Sequence, residues 1–229
     1  MKQVIQIRFK NNKKSQKVEI GSTLFDIFSA FDLKMTHGPV SARVNNKVEG
    51  MHYRVYNSKD VEFLDMTSSS GSRAYTRTLF FVLCKAVQDI YPATDVVIDI
   101  PVSNGFYVDI RLGRPVVDED VNIIRRRMQE IIDARMPIRR FTVPTEEAVA
   151  LFQEKGDVEK VKLLKTSGSI YTTYYKIGDY VDYYYGTLLT NTSQLYLFGL
   201  EKYYDGMLLR IPSIKNPDVL GEMTRQDKM

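Results

Sequence analysis

Residues 20–27, Ile-Gly-Ser-Thr-Leu-Phe-Asp-Ile, join the end of a strand to the start of a helix. Gly21 ends the apolar alternation of the strand, and Thr23 or Ser22 then supplies a hydroxyl that can cap a helix. Apolar side chains recur at helical spacing over residues 24–31, so one face of that helix is expected to be buried. The stretch therefore predicts a strand-to-helix unit with its own core.

Strand patterns flank this unit on both sides. Alternating apolar residues predict strands at 4–9 and 18–20 before the helix, and at 41–44 and 60–64 after it. A hairpin, a helix and further strands within 64 residues follow the order of a β-grasp domain. We therefore expect an α+β protein whose first domain is a β-grasp domain at residues 1–64.

A polar stretch, Thr67-Ser-Ser-Ser-Gly-Ser72, predicts a domain boundary. After it, a helix is expected at 77–90, strands near 96–100 and 106–109, and a long helix capped by Asp118. Short strands dominate from 170 to 209. The predicted organisation is a domain at 1–64, a linker at 65–73, an α+β domain at 74–213 and a polar tail at 214–229.

Composition excludes several classes of protein. The net charge of +4, from 32 basic and 28 acidic side chains, is too small to argue for nucleic acid by itself. One cysteine, Cys84, and two histidines, His37 and His52, leave too few ligands for a transition-metal site, so we expect no metal. No signal peptide or membrane-length apolar run is present, and a cytoplasmic location is expected.

The first domain resembles a known family. Residues 20–27 resemble the G-x-T-x-x-D-I core of TGS domains, and residues 42–48, Ala-Arg-Val-Asn-Asn-Lys-Val, resemble their A-x-V-N-G turn. Asn46 stands in place of the family's glycine, and asparagine tolerates positive φ better than most residues. The resemblance implies a ubiquitin-like ligand-binding or RNA-associated domain without catalytic residues of its own.

The second domain resembles the editing-type domain of threonyl- and alanyl-tRNA synthetases. The motifs that carry the resemblance are Ile90-Tyr-Pro92, Asn104-Gly-Phe-Tyr-Val-Asp109, Asp118-Glu-Asp-Val121, Tyr180-Val-Asp182 and Met207-Leu-Leu-Arg-Ile211. Together with the TGS match, the resemblance covers nearly the whole chain. It implies a β-grasp domain followed by a degenerate editing-type α+β domain.

In this family, the His and Cys residues of the editing site lie in an H-x-x-x-H helix and a C-x-G-x-H segment. Counting from Pro92 and Asp182 places these four residues at Arg77, Phe81, Tyr184 and Leu188. Without imidazole or thiolate, neither a metal nor a hydrolysis that depends on histidine is easily built. We therefore expect no catalytic residue and no editing. Residual editing in trans is the alternative that a deacylation assay would reveal.

The same pair of domains resembles the N-terminal half of bacterial uridine kinase-like (nucleoside kinase) proteins. That resemblance implies a regulatory or ligand-binding region ahead of a kinase domain in the same polypeptide, with ATP and Mg²⁺ needed only downstream. No G-x-x-x-x-G-K-[ST] loop is present in this chain, so it is expected to hold no cofactor itself. The alternatives are a standalone tRNA- or RNA-binding accessory protein without editing activity, and a structural or dimerisation module.

Candidate ligand contacts follow from these comparisons of motifs. Arg77, Tyr184 and Arg210 are expected to line the former editing cleft, where a nucleotide, amino acid or RNA end would bind. Arg77 either pairs with a carboxylate such as Asp182 or binds an anion. No membrane partner is expected.

Two further sequence features admit a functional and a structural interpretation. Arg125, Arg126 and Arg127 form either a solvated helix face or a surface that contacts phosphate or RNA, and three consecutive arginines cannot all face one ligand. Ten of the fifteen tyrosines fall between Tyr171 and Tyr204, which fits half-buried strands or stacking on bases.

Overall fold

The computed structural model describes residues 3–31, 33–92 and 94–222. The chain divides into two compact units, one of residues 1–136 with 187–229 and one of residues 137–186. Helices lie between groups of strands, and all but one of the strand pairs in the described residues are antiparallel, which confirms the α+β class. The predicted domain boundaries at 64 and 74 stay a prediction.

The first unit begins with a mixed sheet. Its strands run in the order β2-β1-β5-β3-β4, and β1 pairs parallel with β5. The core lies between this sheet and helix α1 and includes Ile7, Phe9, Leu24 and Phe63. This is the expected β-grasp arrangement. The elements are β1 Val4–Phe9, β2 Ser15–Glu19, α1 Leu24–Ala30, β3 Ser41–Val44, β4 Lys47–Glu49 and β5 Lys59–Leu64.

The cap of α1 forms as the opening stretch of sequence predicts. Thr23 is the N-cap, and its hydroxyl accepts a hydrogen bond from the Asp26 amide at 3.0 Å. The Asp26 carboxylate accepts from the Thr23 amide at 2.9 Å, and the hydrogen bonds from Thr23 lower the pKa of that carboxyl. In the β3–β4 turn the left-handed residue is Asn45, at φ 53°, rather than the neighbouring Asn46.

Helix α2, Ser69–Ile90, starts earlier than the sequence suggests. Ser68 caps it by accepting from the Gly71 amide at 3.0 Å, so part of the stretch expected as a linker is helical. Strands β6 Val96–Val102 and β7 Gly105–Ile110 follow as an antiparallel hairpin.

Helix α3, Asp118–Asp133, is capped by Asp120 rather than by the predicted Asp118. The Asp120 carboxylate accepts from the Val117 amide at 2.9 Å and from the Tyr91 hydroxyl at 2.6 Å. Two Arg114 nitrogens donate to it at 2.6 and 2.8 Å. The bonds from Arg114, followed by those from Tyr91 and Val117, hold the pKa of Asp120 far below its usual range.

The second unit is a three-stranded sheet in the order β10-β9-β8, packed against two helices. Its small core comprises Ala148, Phe152, Leu164 and Val181. The elements are β8 Arg139–Pro144, α4 Thr145–Glu154, α5 Val158–Thr166, β9 Tyr171–Ile177 and β10 Tyr180–Tyr183.

The chain then returns to the first unit with β11, Gly199–Tyr203, and β12, Gly206–Arg210, which extend the β6–β7 hairpin into a sheet of order β11-β12-β7-β6. Beyond β12, residues 211–222 fold back on themselves. The Gly221 amide donates to the Ile211 carbonyl at 3.0 Å, and Pro212 bridges to Leu220. The remainder of the predicted polar tail, residues 223–229, lies outside the described residues.

Candidate functional site

Two of the four substituted positions lie one turn apart on helix α2. Phe81 is 0% exposed, and the residues beside it, Val82 and Leu83, are equally buried. Arg77 is half-buried on the same helix. At position 81, therefore, the chain has a core side chain where an editing domain would carry a histidine.

The segment that carries Leu188 lies against the same turn of α2. The Leu189 amide donates to the Thr78 hydroxyl at 2.9 Å, and that hydroxyl donates to the Ala74 carbonyl at 2.8 Å. Leu188 and Leu189 are both 0% exposed. The structure thus brings position 188 to the part of the helix that holds positions 77 and 81, and the environment of Phe81 and Leu188 is apolar core. That these are the former editing positions stays a prediction.

The rest of this segment is fixed by long-range hydrogen bonds. Thr192 donates through its hydroxyl to the Ile131 carbonyl at 2.9 Å, and the same hydroxyl accepts from the Met136 amide at 2.9 Å. The Tyr75 hydroxyl donates to the Leu197 carbonyl at 2.8 Å and accepts from its amide at 2.9 Å. Residues 187–197, which we call the anchored loop, are therefore tied to both α2 and α3.

Tyr184 belongs to the second unit and is half-buried just after β10. The nearby Asp182 carboxylate pairs with Lys160 at 2.9 Å and accepts from the Tyr180 hydroxyl at 2.9 Å. Lys160 also pairs with Asp157 at 2.7 Å. Burial lowers the pKa of Lys160, but the two carboxylates outweigh it, so the pKa is raised overall. The predicted pairing of Asp182 with Arg77 stays a prediction.

Arg210 is held by groups of the chain itself. Its guanidinium donates to Glu201 at 2.8 Å and to the Gly221 carbonyl at 2.7 Å, and 18% of its side chain is exposed. These contacts fix it between β11 and the segment after β12. A role in ligand binding stays a prediction for Arg210, as it does for Arg77 and Tyr184.

The three consecutive arginines of α3 point in different directions. Arg127 pairs with Asp89 and Glu130 at 2.9 and 2.8 Å, so its charge is offset locally. Arg125 donates to Asn122 at 2.8 Å, and Arg126 is exposed. A contact with RNA or phosphate by this group remains a prediction, and the geometry leaves Arg125 and Arg126 as its exposed members.

Two features were not expected from the sequence. His37, which lies in a turn, stacks on Tyr196 with ring centroids 3.8 Å apart and contacts Asp218 at 2.7 Å. A polar depression of about 490 Å³ also opens on the β-grasp sheet, where Arg8 is already bonded to Asp60. It is lined by Gln6, Arg8, Ser15, Asn45, Ser58, Lys59 and Asp60. Both features depend on contacts between residues that are far apart in the sequence, which no local sequence pattern predicts.

The side chains at the four substituted positions offer few groups for metal binding or catalysis. Among residues 3–31, 33–92 and 94–222, no three His, Cys, Asp or Glu side chains are grouped so that they could hold a metal ion. Arginine, phenylalanine, tyrosine and leucine supply neither a zinc ligand nor a general base near neutral pH. The donor set therefore does not fit a metal of the kind that an H-x-x-x-H and C-x-G-x-H pattern would bind.

Sequence comparison finds relatives among threonine–tRNA ligases. The chain is 30% identical to that of Clostridium kluyveri over 193 residues, covering 83% of the chain and 30% of the ligase. It is 30% identical over 204 residues to that of Syntrophotalea carbinolica, covering 84% of the chain and 32% of the ligase. It is 29% identical over 181 residues to that of Acetivibrio thermocellus, covering 79% of the chain and 28% of the ligase.

The chain spans about 30% of the length of these curated relatives. A scan against models of protein families finds no match. None of the helices in the described part of the chain is long and apolar enough to cross a membrane. Over most of its length, this α+β chain is related to one part of the threonine–tRNA ligases.

Proposed function

We propose that this chain is a non-catalytic binding region derived from a synthetase editing domain. The observation that carries the non-catalytic part of the proposal is the burial of Phe81 and Leu188, both 0% exposed, at two positions where the editing motif has histidine. These two side chains fill their positions, so a ligand must bind beside them, and a cleft with no remaining space would overturn the binding role. The residues that we propose to contact a ligand are Arg77 and Arg210 in the first unit and, separately, Tyr184 in the second. The ligand class is a nucleotide, an amino acid or an RNA end.

In its finer form, the proposal makes this chain the regulatory region of a cytoplasmic nucleoside kinase. The support is the resemblance of the TGS and editing-type motifs, in this order, to the region that precedes the kinase domain in uridine kinase-like proteins. The chain itself would hold no cofactor, and ATP with Mg²⁺ would act in the kinase domain. Measuring the mass of the native gene product in its source cell, followed by a nucleoside phosphorylation assay on it, tests this form.

The test of the binding role combines two assays on the chain. Serine esterified to tRNA for threonine should not be released faster than in buffer, because no side chain at the four positions can activate water. Calorimetric titration with uridine, UMP, ATP, threonine and tRNA should reveal one ligand whose affinity falls in Arg77→Ala. Arg111→Ala, which replaces an exposed arginine after β7, should leave that affinity unchanged. Catalysed release of serine, or no binding of any of these compounds, would overturn the proposal.

A second candidate, an accessory protein that binds tRNA, is favoured by the charge distribution. The first 64 residues carry eleven Lys and Arg against six Asp and Glu, although the whole chain carries only +4. Binding through such a surface weakens steeply with salt, because condensed counterions are released from the phosphates. Binding that is independent of salt, or unchanged in Lys13→Ala/Lys14→Ala, would exclude it.

A further inference from the structure

Three tyrosines meet at the β11–β12 hairpin, and we call Tyr107, Tyr203 and Tyr204 the Tyr107 cluster. The ring centroids of Tyr107 and Tyr203 are 6.2 Å apart at an interplanar angle of 62°, and those of Tyr203 and Tyr204 are 4.7 Å apart at 89°. A methyl group added to Gly206 would lie 2.7 Å from the Tyr107 hydroxyl oxygen, so the phenol lies directly over this glycine. The rings therefore face different directions around one small area of surface.

The turn presents Tyr204 to solvent in an unfavourable backbone conformation. Tyr203 pairs with Gly206, so Tyr204 and Asp205 alone form the tight turn between the strands. Tyr204 has φ 45°, a left-handed conformation that glycine or asparagine adopts far more readily than tyrosine, and it is 59% exposed. Neither the turn geometry nor core packing accounts for an aromatic residue at this point.

The field around the cluster is negative. Burial raises the pKa of Tyr107 first, and the carboxylates of Asp109 and Asp205 raise it further. The arginines that follow β7 are engaged elsewhere, since Arg111 lies 3.8 Å from Asp95 and Arg114 is bonded to Asp120. A ligand at the rings would therefore meet two carboxylates.

We propose that the Tyr107 cluster, with Asp109 and Asp205, binds an alkylammonium group. A cation within about 6 Å of a tyrosine ring face is attracted by the ring's quadrupole, and nearby carboxylates add to that attraction. The same carboxylates repel phosphate, which disfavours a nucleotide or an RNA backbone at this place. The group belongs either to a small amine or to a lysine side chain. The proposal does not depend on the proposed function.

The first experiment compares a cation with its neutral isostere on the intact chain. Choline and 3,3-dimethyl-1-butanol have nearly the same shape, so a difference between them reports charge. We expect millimolar choline to shift the ring resonances of Tyr107, Tyr203 and Tyr204 in ¹³C-tyrosine-labelled protein, with an affinity at least about fivefold above that of the alcohol. Tyr56, which is 65% exposed on the β-grasp domain, is the control and should not shift. Equal binding of both compounds, or no shift with choline, overturns the proposal.

The second experiment uses a substitution that suits the turn. Tyr204→Gly removes one ring and places a residue that tolerates positive φ, so the variant should be at least as stable as the parent. Its choline affinity should fall by about threefold or more, and Asp205→Asn should lower it further. A stable Tyr204→Gly variant that binds choline unchanged would refute the site. Tighter binding of a lysine tetrapeptide than of choline would assign the group to a protein partner, and the reverse order to a small amine.

Discussion

Restoring histidine at position 188 tests whether the former editing position is now core. Leu188 is 0% exposed, so Leu188→His loses about 2–3 kcal/mol of apolar burial. Burying an imidazole without a partner costs about 1–3 kcal/mol more. The sum is about 4 kcal/mol, which corresponds to a fall in Tm of roughly 8–16 °C for a chain of this size. Urea unfolding followed by circular dichroism measures this change in the free energy of unfolding.

The control for that substitution lies in the same anchored loop. Ser193 is exposed, and its backbone N–H donates to the Asn191 side-chain oxygen at 2.9 Å. Ser193→His should therefore change the free energy of unfolding by less than about 0.5 kcal/mol. If Leu188→His costs no more than Ser193→His, position 188 has room for a polar side chain and the interpretation of the site as core is wrong.

Three further substitutions test contacts that lie within one unit or within the other. Asp120→Asn should lower the free energy of unfolding by about 2 kcal/mol at pH 7. Because the pKa of Asp120 is lowered in the folded state, the difference between variant and parent should shrink as the pH falls below about 4. Equilibrium unfolding at a series of pH values measures this difference. Gly71→Ala should reduce the yield of folded protein, since its methyl group would overlap the Asp65 carbonyl; Ser69→Ala is the exposed control. Lys160→Met leaves the buried Asp182 carboxylate without its cation and should lower the local stability of β10 by about 2 kcal/mol. Hydrogen exchange of the β10 amides measures this loss, and the control Lys162→Met should leave the exchange unchanged.

Local signals explain why much of the fold was predictable from the sequence. The cap at Thr23 and the apolar face of α1 depend on residues within one turn, and both appear where expected. The order of the β-grasp strands follows from short alternating segments and turns of the same kind. The start of α2 was missed because Ser68 and Gly71 look like a flexible linker, although the serine hydroxyl caps the helix.

The sequence assigned positions to the candidate site but did not predict that Phe81 and Leu188 are buried in an apolar core. Counting along the motifs assigned positions 77, 81 and 188 to one site, which stays a prediction; the structure shows that the Leu189 amide donates to the Thr78 hydroxyl, between the helix and the anchored loop. What the sequence could not supply was the partners of polar groups across long separations. Tyr75 and Leu197 are 122 residues apart, and His37 and Asp218 are 181 apart, so no periodicity relates them.

A fold can lose its catalytic residues and keep its architecture, because catalysis and stability depend on different interactions. A catalytic site holds polar groups that are poorly compensated in the free protein, and that arrangement costs stability. In the proposed interpretation, Phe81 and Leu188 contribute apolar burial where such polar groups would stand, and Thr192 of the anchored loop donates to the Ile131 carbonyl. If this account is correct, Phe81→His with Leu188→His should lower stability without producing deacylation. Any gain of hydrolysis in that double variant would show instead that the remaining machinery is intact and that two imidazoles were all the site required.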